Sequence, residues 1–305
     1  MHLRIGTRKS ALAIVQAKEV VFALEALGHS AELILRSSEG DQLHEKPLPN
    51  FLGKGVFTKT LDHALLNDEV DVVTHSLKDI PTQLIHGISQ GAVLKREDPS
   101  DVIVCAEGSK LMRGNVEDST YQAIIATSSV RRRAQWLHRY PNHRLINIRG
   151  NIDTRIQKVK IENMDSAIFA AAGLNRLGLQ NEIGKKLDWM IPSAGHGAIA
   201  VLYKSSKEEI KTILNQINHL DTAVCTQVER MFLSELNGGC SAPVGAIVSI
   251  QDDILEFRGI VLDRNGTEKI EIHLLRARSE YLSIGAEAAQ IAISKGANNL
   301  LSNES

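Results

Sequence analysis

Residues 124–155 read IIATSSVRRRAQWLHRYPNHRLINIRGNIDTR, and the stretch alternates two kinds of pattern. Ile124-Ile125-Ala126 and Leu145 to Ile148 are short apolar, β-rich runs. Each leads within a few residues into a helical pattern, Ser129 to His138 and Asn151 to Ile161. Strands that alternate with helices predict βαβ units and a mainly parallel sheet. The same stretch carries Arg131, Arg132, Arg133, Arg139, Arg144, Arg149 and Arg155 against a single acid, Asp153.

The rhythm continues on both sides. Ala167 to Ala170 reads as a further strand, with a helix from Leu174 onward. Upstream, Leu3 to Ile5, Glu32 to Arg36 and Asp71 to His75 read as strands. A helix from about Ser10 to Leu27 carries a broad apolar stripe and stops at Gly28. The loop from Gly40 to Phe57 contains Pro47, Pro49, Gly53 and Gly55, and its length suits either a functional lid or a disordered segment. Downstream the character changes. A helix over Thr222 to Leu236 ends at Gly238-Gly239, and strands follow at Val244 to Ile250, Ile254 to Leu262 and Lys269 to Leu275. Asn265-Gly266 predicts a type I′ hairpin, and a helix from Tyr281 to Lys295 completes an α+β domain.

A chain of 305 residues is too long for one ordinary core and implies two or three domains. Apolar residues make up 43% and the net charge is −1, so any affinity for anions must be local, and neither nucleic acid nor a membrane surface is indicated. Three cysteines, Cys105, Cys225 and Cys240, form no disulfide framework and no metal-binding spacing. The residues MHLRIGTRKS lack the apolar core of a signal peptide, and no apolar run approaches the ~20 residues of a membrane span. The expectation is a reducing, cytoplasmic setting.

Several candidate binding groups share one placement, the turn from a strand's carboxyl end into a helix. Thr127-Ser128-Ser129-Val130-Arg131-Arg132, Arg149-Gly150-Asn151 and Ala172-Gly173-Leu174-Asn175-Arg176 all repeat it. That edge is where open α/β sheets bind ligands, and free N–H groups at a helix start favour anions. Arginine adds forked pairing to carboxylate or phosphate. One helical arginine by itself most often just faces water. Three repeats of one placement point instead to a ligand with several acidic groups, with Arg133, Arg139 and Arg144 left as solvated charges. Gly6-Thr7-Arg8-Lys9-Ser10 repeats the geometry more weakly. In His75-Ser76-Leu77-Lys78-Asp79-Ile80-Pro81, Lys78 could hold an anion and Asp79 could be a catalytic carboxylate, although spacing alone favours a salt-bridged surface turn. His75 reads as a structural, hydrogen-bonding histidine. Cys240, in Gly238-Gly239-Cys240-Ser241, sits in a tight turn exposed enough for a nucleophile, whereas Cys105 and Cys225 lie in apolar, core-like patterns; by the turn alone, an incidental cysteine is the commoner reading.

Taken in order, these segments resemble the porphobilinogen deaminase (hydroxymethylbilane synthase) family. The matching pieces are GTRKSALA at 6–13, GKGVFTK at 53–59, HSLKDIP at 75–81 and KREDPSD at 95–101. They continue with TSSVRRRAQ at 127–135, IRGNIDTR at 148–155, AAAGLNRLG at 170–178 and GGCSAPVG at 238–245. The resemblance implies two doubly wound α/β domains like those of periplasmic binding proteins plus a small α+β C-terminal domain. The expected boundaries are 1–99 with 197–218, 100–196, and 219–305. It further implies a dipyrromethane cofactor held by a thioether to Cys240, and Asp79 as the catalytic aspartate. The cofactor- and substrate-binding set becomes Arg8, Ser10, Lys78, Thr127, Ser129, Arg131, Arg132, Arg149, Gly150, Arg155, Gly173, Arg176 and His196. The Gly40 to Phe57 loop matches the family's lid, with Lys54, Phe57 and Lys59 as lid residues, and no metal is required. The implied reaction joins four porphobilinogen molecules head to tail on that dipyrromethane primer with loss of ammonia and by hydrolysis releases 1-hydroxymethylbilane, which passes to uroporphyrinogen-III synthase. A monomer is expected.

The chain departs from the family at Gly195-His196-Gly197, where glutamine is usual in place of histidine, and at Lys59-Thr60, where glutamate often follows the lysine. Two other functions compete. A non-catalytic solute-binding clamp accounts for the arginines but not for the GGC turn or the third domain. A phosphoryl- or sugar-phosphate transferase accounts for the anion sites but lacks a P-loop or an acidic metal cluster.

Overall fold

The computed structural model describes residues 1–37, 58–113, 121–237 and 242–302. Cys240, Lys54 and Phe57 lie outside the described residues, as does the whole Gly40 to Phe57 loop. The chain divides into two compact units, Met1–Glu97 with Gly197–Val224, and Asp98–His196 with Cys225–Ser305.

The first unit is built on strands β1 (His2–Arg8), β2 (Ser30–Arg36), β3 (Val72–Ser76), β4 (Ile88–Val93) and β10 (Ile199–Lys204), in the order β2-β1-β3-β10-β4. Side chains alternate across its strands, so each face needs cover. Leu3, Ile5, Val72, Ile199 and Val201 face the helices Ala11–Glu25 and Glu208–Ile217. Val73, Ala200 and Leu202 face the helix Lys59–Leu66 through Leu61, Ala64 and Leu65. Helices on both faces make this a doubly wound sheet.

The second unit repeats the plan with β5 (Asp101–Cys105), β6 (Ile124–Ala126), β7 (Arg144–Ile146), β8 (Ser166–Ala170) and β9 (Lys185–Lys186), ordered β7-β6-β8-β5-β9. Val102, Val104 and Phe169 pack with Ile156 and Val159 of the helix Ile152–Ile161. Ile103, Ile125 and Ile168 pack with Trp136 of the helix Val130–Arg139 on the other face. Its remaining segment forms an antiparallel sheet of β11 (Val244–Gln251), β12 (Ile254–Leu262) and β13 (Lys269–Ala277) with the part of the helix Leu220–Glu235 from Cys225 onward and the helix Tyr281–Ser294. Phe232 meets Phe257 edge to face at 5.1 Å between these layers.

Three expectations are corrected. The large sheets are half antiparallel rather than mainly parallel, because β10 inserts between β3 and β4 in the opposite sense and β5 runs against β8 and β9. The helix placed at Leu174 onward spans Ala171–Arg176, starting directly at the end of its strand. The β12–β13 connection is not a type I′ turn: Gly266 has φ +73° while Asn265 stays outside the left-handed region. Asp263 reorganises it, its carboxylate accepting from the backbone N–H of Asn265 at 3.0 Å and of Glu268 at 2.8 Å. A Cβ at Gly266 would lie 2.2 Å from the carbonyl oxygen of Ala134, so only glycine lets the hairpin tip approach that helix.

Candidate active site

In the first unit the strands β1 and β3 are parallel, and their registered ends bring Arg8 and His75 to one edge of the sheet. Ser10 caps the Ala11–Glu25 helix, its hydroxyl accepting from the N–H of Ala13 at 3.4 Å, and Thr7 donates to the Ala13 carbonyl at 3.1 Å. After β3 the chain makes a single 3₁₀ turn, Leu77–Asp79. Leu77 anchors that turn in the core at 0% exposure while Asp79 is exposed and Lys78 half-buried. A buried neighbour fixes the position of a carboxylate that remains in contact with solvent. Lys59 opens the Lys59–Leu66 helix as an exposed residue.

Two polar groups here escaped the sequence reading. Gln16 and Ser76 lie across the strand end from one another, with Gln16 Nε2 2.9 Å from Ser76 Oγ. The signal was a glutamine at 5% exposure on an otherwise apolar helix face. His75 also differs from expectation. Its Nε2 is buried with no hydrogen-bond partner among the described residues. Burial, reinforced by the charge of Arg8, pulls its pKa down to about 4, so the ring is neutral at pH 7.

In the second unit the strand-end turns are tied together before they meet any ligand. Ser129 caps the Val130–Arg139 helix, accepting from the N–H of Arg132 at 3.4 Å, and its own N–H donates to buried Thr127 Oγ1 at 3.2 Å. Ser128 Oγ donates to the Ile148 carbonyl at 2.7 Å and accepts from its N–H at 3.1 Å, which joins this turn to the one at Arg149-Gly150. Gly150 has φ +114°, and a Cβ there would sit 2.9 Å from Thr154 Cγ2. Arg155 Nε donates to the Gly150 carbonyl at 2.7 Å, while Arg149 is exposed. Gly173 is buried in the short helix Ala171–Arg176, and half-buried Arg176 ends it.

Arg131 and Arg132 are not solvent-facing. They are 5% and 8% exposed, and both converge on Asp101, which is 0% exposed at the start of β5. Arg132 Nε and Nη2 donate to Asp101 Oδ1 at 2.9 and 2.7 Å, and its Nη1 donates to the Ile168 carbonyl at 2.9 Å. Arg131 Nη1 lies 2.7 Å from Asp101 Oδ2 and donates to the Ile191 carbonyl at 2.8 Å. Burial alone would raise the Asp101 carboxyl, but the two guanidiniums outweigh it and hold the group far below the usual carboxylate range. His196 is 1% exposed, with Nδ1 3.9 Å from Asp101 Oδ1. Sequence reasoning passed over Asp101, although it closes the KREDPSD segment. It also missed Glu229, a carboxylate at 0% exposure that accepts from Gly195 N–H and from Val248 N–H, both at 2.8 Å. The signal was a lone acid between Val228 and Phe232 on an apolar helix stripe.

Two guanidiniums on one carboxylate leave a buried net charge of plus one, and among the described residues both polar contacts of Arg131 run through Nη1. Such a donor set fits a group that carries carboxylates and is held in place.

These features define an α/β protein with an acid on a strand-end turn of one unit and arginine-rich helix starts on the sheet of the other. The family model "Porphobilinogen deaminase, dipyromethane cofactor binding domain" matches residues 3–212, and "Porphobilinogen deaminase, C-terminal domain" matches residues 223–293. The porphobilinogen deaminase of Pelotomaculum thermopropionicum is 37% identical over 304 residues, covering 98% of this chain and 96% of that one. That of Syntrophomonas wolfei is 36% identical, covering 98% of each. The VFT2 domain of Bordetella pertussis BvgS overlays with a TM-score of 0.44 at 13% identity, over 71% of this chain and 86% of that one. The chain belongs to the porphobilinogen deaminase family, whose members are transferases with a dipyrromethane cofactor-binding domain.

Proposed function

We propose that this protein joins four porphobilinogen molecules head to tail, releasing ammonia at each addition, and that water then cleaves the finished chain from the tether as 1-hydroxymethylbilane. What carries the reading is the family match running through both parts of the chain, residues 3–212 and 223–293. Cys240 is the residue that tethers the dipyrromethane through a thioether. When bound, that group supplies a free pyrrole α-carbon as the nucleophile that starts the chain.

The chain's own residues hold acids and balance charge. Every pyrrole of the substrate bears an acetate and a propionate, so Arg149, Arg155 and Arg176 with Thr127 and Ser129 serve as carboxylate sites on one sheet. Arg8, Ser10 and Lys78 do so on the other. Gly150 and Gly173 lie at the turns that present these groups, and at Gly150 the positive φ excludes a larger residue. Asp79 accepts the pyrrole N–H of the substrate and balances the positive charge that develops as ammonia departs, the kind of electrostatic help that is often the largest catalytic term. Its exposed position on a fixed turn supports that role. Lys54, Phe57 and Lys59 act in the lid. The released product suits direct use by uroporphyrinogen-III synthase, and the protein works as a cytoplasmic monomer. No helix among the described residues is long and apolar enough to cross a membrane.

The intact mass of the purified protein tests the reading. Holoenzyme should exceed the sequence mass by one dipyrromethane, and Cys240→Ala should lose both the increment and turnover. An increment that survives Cys240→Ala, or none in an active wild type, would overturn it.

A further inference from the structure

The Asp101 cluster contains more than the anion sites need. A carboxylate with no exposure and two guanidiniums below one-tenth exposure are withdrawn from water together. Leaving out either kind of charge would bury the other uncompensated, which is the costly arrangement for ions in a low-dielectric interior. The geometry is also uneven. Oδ1 receives two aligned donors from Arg132, whereas Oδ2 is buried without a hydrogen bond although Arg131 Nη1 stands 2.7 Å away. Arg131 is thus held by charge and by the Ile191 carbonyl rather than by an aligned fork. Gln135 fixes that acceptor, donating to the Ile191 carbonyl at 2.8 Å and accepting from its N–H at 2.8 Å.

We infer that Asp101 is a positioning residue that acts through Arg131 and Arg132. It pairs two mutually repelling guanidiniums at one helix start and trims their sum to a single positive charge, so that the pair receives one carboxylate of the bound pyrroles. Arg132 is the fixed member, with donors committed to Asp101 and the Ile168 carbonyl. Arg131 is the adjustable member, because Nε and Nη2 are not engaged by Asp101. Without Asp101 the site would carry two positive charges, and Arg132 would lose the acceptor of its two aligned donors. The inference rests on the proposed function for the identity of the ligand, but not for the state of the cluster.

Chemical rescue separates positioning from mere structure. In full-length Asp101→Ala a cavity the size of a carboxylate group faces the two arginines, and formate can fill it. Relative to equal chloride, formate should raise the thermal midpoint and the mass-detected cofactor retention of Asp101→Ala while leaving wild type unchanged. Turnover of the variant should fall on the order of tenfold or more, the size produced by removing the supporting partner of a binding group, and recover in formate. The double variant Asp101→Ala/Arg132→Gln has its charge rebalanced and should not respond. If Asp101→Ala does not fold, Asp101→Asn keeps the volume, and adding Arg132→Gln should then raise its midpoint. Formate-independent behaviour of Asp101→Ala, or a wild-type midpoint in Asp101→Asn, overturns the inference. If wild type carries no added mass and makes no bilane, the functional reading fails, while the midpoints still decide the role of Asp101.

Discussion

The two large sheets handle charge in opposite ways. In the first unit the acid nearest the strand-end chemistry, Asp79, stays exposed, and the buried polar groups beside it, Thr74 and His75, are uncharged. In the second unit the charges themselves are buried, and Arg131 and Arg132 both pair with Asp101. A carboxylate meant to respond to a developing cation gains from a position that solvent and substrate can reach. A receptor meant to hold a fixed anion gains from groups locked before the anion arrives, because little reorganisation is left to do. The contrast is between a responsive group on a rigid turn and a rigid group in a low-dielectric wall.

The sharpest way to break that contrast is at Asp79. Asp79→Asn keeps the shape of an exposed side chain and removes its charge, so turnover should fall by roughly 10² or more with the melting midpoint unchanged. Single-turnover assays alongside thermal melts read both quantities. Near-normal turnover would remove Asp79 from the mechanism and leave the first unit without its responsive acid.

The next effect falls on the other side of the comparison. Asp101→Asn strips the shared carboxylate from two buried guanidiniums and should destabilise by about 3–5 kcal/mol. Arg149→Gln, at an exposed position, should shift stability by less than about 0.5 kcal/mol while still weakening substrate binding. Urea unfolding of the two variants side by side gives the difference. Equal stabilities would mean that the second unit's arginines are not locked in the way the geometry indicates.

A further effect, confined to acid pH, concerns His75. An unfolded histidine takes up a proton near pH 6.5, whereas burial beside Arg8 holds the folded ring to about 4. Above pH 6.5 both states are neutral and there is no penalty. Between 6.5 and 4 the unfolded chain binds a proton that the folded one refuses, so stability falls with falling pH by up to about 3 kcal/mol. His75→Leu should flatten that part of the profile. A variant whose unfolding free energy follows wild type from pH 7 to 4 would show that His75 protonates freely in the fold.

The legible parts of the fold were those set by local pattern. The helix predicted over Ser129 to His138 is Val130–Arg139, and the strands at 124–126, 244–250 and 254–262 stand within a residue of their expected bounds, because apolar periodicity and serine capping act over a few residues. The hairpin at Asn265-Gly266 was misread because the Asp263 carboxylate and the close approach of Gly266 to Ala134 outvote the dipeptide's own preference. In the site, the hydroxyls and arginines at strand ends could be picked out by type and placement. Their partners could not. Asp101 was one acid among the 36 Asp and Glu residues of the chain, and nothing near it in sequence pointed to Arg131 and Arg132.

By itself, the sequence determined the strand–helix rhythm, the sites where helices begin and the residue types available to bind acids, since these follow from side-chain chemistry and spacing of a few residues. Only the tertiary structure decided which charges are buried and which meet solvent. Strands β5 and β10 enter their sheets against the direction of their neighbours, and β5 thereby carries Asp101 beneath a helix start 30 residues away in sequence. Burial makes that pairing strong, and burial is a property of the packed chain that no single segment encodes.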